Sequence, residues 1–102
     1  MKRPVQWSRD ALDDLKSQLA YIAADNPAAA LRVADQIRKT GASLGEMTTG
    51  RPGRIGGTYE KPVARLPYII AYAVTKEAGR EIVSILRVIH TSRDWSDEKW
   101  PS

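Results

Sequence analysis

Leu12, Leu15, Leu19 and Ile22 recur at spacings of three, four and three, which places them on one face of a helix. Ser8 stands just ahead of this stripe with a side-chain oxygen suited to an N-cap, so the helix is expected to start there. Before it, Val5 and Trp7 alternate with Pro4 and Gln6, the pattern of a short opening strand. Asp25-Asn26-Pro27 then breaks the helix and starts another, because Asn26 can cap and Pro27 suits a first position that needs no amide donor. Ala30, Val33, Ala34, Ile37 and Leu44 continue at helical spacing, and the small alanines permit close approach, so the helices should form an antiparallel hairpin. Gly45 is the expected C-cap, with Gly41 able to end the regular part earlier.

The next stretch, MTTGRPGRIGGTYEKPV, carries its glycines and a proline ahead of Thr58 and reads as a wrapping loop. It follows no strand and lacks the Lys-Ser/Thr ending of a phosphate-cradling P-loop, which excludes nucleotide binding of that kind. Residues 58–63, 66–74 and 81–90 then read as strands rich in Tyr, Ile and Val, separated by Pro67 and a polar KEAGR turn. The expected fold is α+β: a helical hairpin packed on an antiparallel sheet of about four strands, in one domain spanning residues 1–102. The last two strands are apolar on both faces, so the side away from the helices should be partly open or meet a partner.

At 102 residues the core is small, and a large enclosed active site is not expected. The hydrophobic fraction of 42% is ordinary for a globular chain, and the longest apolar run is too short to span a bilayer. The basic start MKRPVQWSRD meets Pro4, Gln6, Ser8 and Asp10 where a signal peptide needs an apolar run, so a cytoplasmic location is expected. With no cysteine and one histidine, neither disulfides nor a transition-metal site is expected, and no cofactor. Asp10, Asp13 and Asp14 lie at the positive end of the first helix, which accounts for them without catalysis.

Charge sharpens the picture by its distribution. The net charge is +4, and residues 51–76 carry Arg51, Arg54, Lys61, Arg65 and Lys76 against Glu60 alone. That segment is a candidate anion-facing surface, or else a solvated basic face.

ILRVIHTSRDW, residues 85–95, starts as a strand and ends in charge, and it holds the lone histidine. A hairpin turning about Glu77 and Ala78 would set Arg65 beside His90 and Tyr68 beside Arg87. Three positions apart, Arg87 and His90 point to opposite faces unless a bulge intervenes. Arginines around one imidazole could hold a phosphodiester while His90 moves a proton. The alternative is that His90 finishes the strand and that Arg87 and Arg93 pair with Glu81, Asp94 or a partner's acids.

WSRDALDDLKSQLAYIA, GRPGRIGGTYE, LPYIIAYAV and ILRVIHTSRDW, in this order and spacing, resemble the RelE/ParE family of type II toxin-antitoxin toxins over nearly the whole chain. The resemblance implies two N-terminal helices against an antiparallel sheet, growth inhibition, plasmid stabilisation, and a cognate antitoxin that binds the toxin in a hetero-oligomer. It implies one of two mechanisms: RelE-type members cleave mRNA in the ribosome, whereas ParE-type members bind DNA gyrase without known catalysis. Thr91 follows His90 where some nuclease members have tyrosine, and no tyrosine comes after Tyr72, so the chain is closer to the ParE-type branch. Tyr59 stands where many relatives have arginine.

On that branch the expected target-binding residues are Arg51, Arg54, Tyr59, Arg65, Arg87, His90, Arg93 and Trp95. Leu12, Leu15 and Leu19 are expected to receive the antitoxin in a groove between hairpin and sheet. As a nuclease, the chain would use Arg65, Arg87 and Arg93 on phosphate, with His90 or Glu60 carrying the proton. A third reading is an inert antitoxin-binding family member.

Overall fold

In the computed structural model, which describes residues 2–53 and 55–91, the elements run β1 (Val5–Trp7), α1 (Arg9–Asp25), α2 (Pro27–Ser43), β2 (Arg51–Pro52), β3 (Tyr59–Pro62), β4 (Tyr68–Glu77) and β5 (Arg80–His90). Ser8 turns strand into helix within one residue. Its hydroxyl accepts the Ala11 amide at 3.0 Å and donates to the Leu86 carbonyl at 2.8 Å, so the cap also ties α1 to β5. Asn26 accepts the Ala29 amide at 3.1 Å and starts α2, with Pro27 in the first turn.

The sheet has five strands in the order β1-β5-β4-β3-β2. It is mixed, which corrects the expectation of an antiparallel sheet of four: β1 pairs parallel with β5, Val5 opposite Val83 and Trp7 opposite Ile85. Parallel neighbours need a crossover, and here the helical hairpin is part of it. The extra strand, β2, pairs Arg51 with Glu60 inside the expected loop. Alternation along a strand reveals its faces but not the direction or identity of its neighbour.

α1 and α2 cover one face. Ala11, Ile37 and Leu44, with Leu15 and Val33 beside them, pack on Tyr68, Ile70, Tyr72, Val83, Ile85 and Val88. Fully burying side chains of this size contributes roughly 1.5–3 kcal/mol each. On the opposite face Ala71 and Ile89 are covered in part by Ile55 from the glycine-rich loop. The loop thus wraps the sheet, as its composition suggested.

The hairpin between β4 and β5 turns one residue later than expected. Ala78 and Gly79 both take positive φ, 51° and 78°, and Glu77 faces Arg80. This is the two-residue turn whose twist suits adjacent strands. A bulge between Ala71 and Tyr72, opposite Arg87 and Ile85, shifts the upper register again. As a result Tyr68 faces His90 and Ala71 faces Arg87, which replaces the expected Arg65–His90 and Tyr68–Arg87 pairs. Arg65 precedes β4 and takes a left-handed conformation, φ 66°.

α2 also runs through Gly41 to Ser43 before Leu44 caps it. Gly41 is buried against Trp7 and Ile85, so it serves close approach between α2 and the sheet rather than termination.

Candidate functional site

Arg87 is held at the edge of β5. Beyond Trp7, β1 gives way to α1, and Asp14 takes the place that another strand would fill: its Oδ2 accepts the Val88 amide at 3.0 Å. The same carboxylate accepts from Arg87 Nε at 2.7 Å and Nη2 at 2.8 Å, a bidentate pair with both side chains mostly shielded from water. The hydrogen bonds that Arg87 donates to Asp14 raise the Arg87 pKa, burial lowers it, and the Asp14 and Asp10 charges add to the rise. Asp14 is thus a structural anchor as well as a residue of the acidic helix start.

His90 lies on the helix-facing side with its cross-strand neighbour Tyr68, the two rings edge to face with centroids 5.1 Å apart. It lines a cleft of about 530 Å³ with Ser17, Gln18, Tyr21 and Ile22 of α1, Val33 of α2, and Leu66, Pro67 and Tyr68. Arg65 opens onto a neighbouring cleft of about 580 Å³ with Arg32, Gln36 and Leu66. Of the nuclease set Arg65, Arg87, His90 and Arg93, the described residues place Arg87 in a pair at the sheet edge and Arg65 in a cleft that neighbours the one His90 lines.

The basic loop forms a third region. Glu60 is buried, and its carboxylate accepts from Arg51 Nη2 at 3.3 Å. Its opposite number is Ala71, so the pair lies on the sheet face away from the helices. Tyr59 remains half-exposed and stacks on buried Tyr72, centroids 5.6 Å apart at 28°. The Tyr72 hydroxyl donates to the Thr49 carbonyl at 2.6 Å; burial, then the adjacent Tyr59, raises its pKa. Arg54, Arg93 and Trp95 lie outside the described residues.

Of the leucines expected to meet an antitoxin, Leu12 is half-exposed, Leu19 is partly buried and Leu15 packs against the core. Gln18 was not expected at the site. Its signal was present, because it falls between Leu15 and Leu19 at helical spacing, a polar side chain inside the apolar stripe. Among the described residues no group of His, Cys, Asp and Glu could hold a metal, and no helix is long and apolar enough to cross a membrane.

Two helices on one face of an open five-stranded mixed sheet define the fold of the ParE- and YoeB-type toxins. The structure of a chromosomal ParDE toxin-antitoxin system from P. aeruginosa superimposes with a TM-score of 0.79 at 22% identity, covering 87% of this chain and 96% of that one. The RelBE2 toxin-antitoxin complex of Mycobacterium tuberculosis follows at TM-score 0.60 and 23% identity, over 88% of this chain and 92% of that one. A YoeB/ParE toxin from Agrobacterium tumefaciens gives 0.57 at 12% identity, over 85% and 97%. In sequence, a candidate toxin of Sinorhizobium fredii, Y4kP, is 38% identical over 95 residues, 92% of this chain and 94% of that protein. The family model for the ParE toxin of the type II toxin-antitoxin system parDE matches residues 5–95. The chain belongs to the ParE toxin family.

Proposed function

We propose that this ParE-family toxin acts by binding DNA gyrase and is held inactive in a complex with a cognate antitoxin. One observation carries the choice of a binding mode over RNA cleavage: Arg87 is committed to Asp14 while His90 turns under the helices toward Tyr68. A phosphodiester-cleaving centre needs cations and a proton carrier converging on one point. Here the groups diverge. The basic segment from Arg51 to Lys76 provides electrostatic steering, and half-exposed Tyr59 provides a rigid aromatic contact beside it. The antitoxin partner is supported by the toxin-antitoxin systems among the structural relatives.

The test is purified toxin titrated into gyrase supercoiling and DNA-cleavage reactions, in parallel with translating ribosomes. Accumulated cleaved DNA with intact mRNA is the expected result. Cut mRNA with untouched supercoiling at high toxin excess overturns the reading.

A ribosome-dependent nuclease is favoured by a different observation, the buried Glu60 carboxylate beside Arg51 on the open sheet face. A carboxylate and a guanidinium so placed could serve as base and phosphate clamp. Glu60→Gln separates the two readings: it abolishes toxicity if the chain is a nuclease and leaves it near wild type if the chain is a gyrase poison.

A further inference from the structure

Every glycine of the chain but one takes a positive φ or has an atom within 3.0 Å of where a Cβ would stand. Gly56 does neither: its φ is not positive, and a Cβ there would meet nothing within 4 Å among the described residues. The Thr58 amide donates to the Ile55 carbonyl at 3.1 Å across Gly56 and Gly57, and of these two only Gly57 has a positive φ, 84°. That is the pattern of a type II turn, which calls for glycine at its third residue and in which proline is common at the second. Glycine at the second residue therefore carries the entropic cost of a bare backbone with no gain to the fold. The turn is nonetheless firmly held. The Thr58 hydroxyl donates to the Ile55 carbonyl at 2.6 Å, the Gly53 amide donates to the Thr58 carbonyl at 2.9 Å, and Ile55 packs on Ala71 and Ile89.

We infer that the turn at Gly56 and Gly57 is a contact point for the toxin's target, where a protein surface comes against bare backbone too closely to admit a side chain. The inference rests on the gyrase-binding reading and names the part of the toxin that seats nearest that partner. Glycine is the residue that lets another surface reach the main chain. Gly56 and Gly57 are exposed and their amides make no hydrogen bond among the described residues, so the main chain there is open to an acceptor oxygen of the partner. A turn already clamped at Thr58 and Ile55 loses little freedom when it docks. The surroundings fit protein rather than nucleic acid. Binding along phosphates draws on cations free to neutralise them. Of the described cations on this hairpin, Arg51 pairs with Glu60, and Lys61 stands opposite Ile70 on the helix-facing side. Exposed Pro52 and Tyr59 beside the turn supply apolar contact instead.

The experiment compares the full chain with Gly56→Ala and Gly56→Val in two measurements: the thermal midpoint, and the toxin concentration that gives half-maximal cleaved DNA with gyrase. The position is roomy and its φ suits an ordinary residue, so Gly56→Ala should hold the midpoint or raise it by up to about 4 °C. The same methyl group should weaken the action on gyrase by roughly 5- to 100-fold, the effect of overfilling a packed contact, and Gly56→Val should weaken it further. Stability kept while action is lost is a combination that a purely structural glycine does not give. Variants that act on gyrase like wild type overturn the contact point and leave the gyrase reading standing. Loss of action that tracks a lowered midpoint overturns the contact point as well. A wild-type chain without effect on gyrase overturns the gyrase reading and the inference with it. Wild-type binding to a DNA duplex in the absence of gyrase, lost in both variants, assigns the turn to nucleic acid and overturns the proposal.

Discussion

Asp14 grips the Arg87 guanidinium with both carboxylate oxygens and accepts the Val88 amide with one of them. One side chain thereby closes the edge of β5 where β1 ends and fixes the first helix against the last strand. Asp14→Ala leaves a shielded guanidinium and a strand amide without this partner, a loss of about 3 kcal/mol. Asp14→Asn keeps a carbonyl for Val88 and costs less. Urea unfolding of the two variants checks the order; equal stability to wild type would contradict it.

Tyr72 ties the sheet to the segment before β2 through Thr49. Its pKa is raised above 10.0 by burial and by Tyr59, so the folded state holds the proton more tightly than the unfolded one. The contribution is intact below about pH 10 and is lost as pH rises through the folded value. Thermal midpoints should be insensitive to this group at neutral pH and decline in alkali, and Tyr72→Phe should blunt that decline. The same variant loses the bond to Thr49 and about 1 kcal/mol at neutral pH.

Gly41→Ala tests close approach against helix propensity. The added Cβ would lie 2.6 Å from Trp7 Cζ2 and 3.0 Å from Ile85 Cδ1. Alanine gains about 1 kcal/mol in a helix interior, whereas overpacking costs about 1–3 kcal/mol. A net loss of about 1 kcal/mol lowers the melting temperature by about 4–8 °C in a domain of this size. A higher melting temperature would show that Trp7 moves aside without cost.

His90→Ala separates contact from catalysis. It gives up an edge-to-face contact with Tyr68, about 0.5–1.5 kcal/mol of stability. Growth inhibition should remain near wild type on expression of the variant. A folded variant with no toxicity would move the assignment to the nuclease.

The helices were legible because their signals are local: the Ser8 and Asn26 caps and the apolar stripe lie within a few residues of what they specify. The pairing of β1 and the register of β5 were not, since both depend on tertiary neighbours and on one turn. Ala78-Gly79 held the clue to that turn, but the bulge beside Ala71 left no comparable mark. Site residues follow the same division. Arg87 stands out as a cation in the sequence, yet its use is decided by Asp14, 73 residues away.

The parallel pairing of β1 with β5 also bears on how the chain is made. The bond from Ser8 to Leu86 joins residues 78 apart, and both edges of β5 are occupied, by β1 and by β4. A nascent chain can form the helical hairpin early from local contacts, but its apolar face waits for the closing strand. The toxin therefore reaches its finished shape only once β5 has been synthesised. Until then the apolar face of the hairpin stays uncovered, and the growing polypeptide carries exposed apolar surface for as long as synthesis lasts.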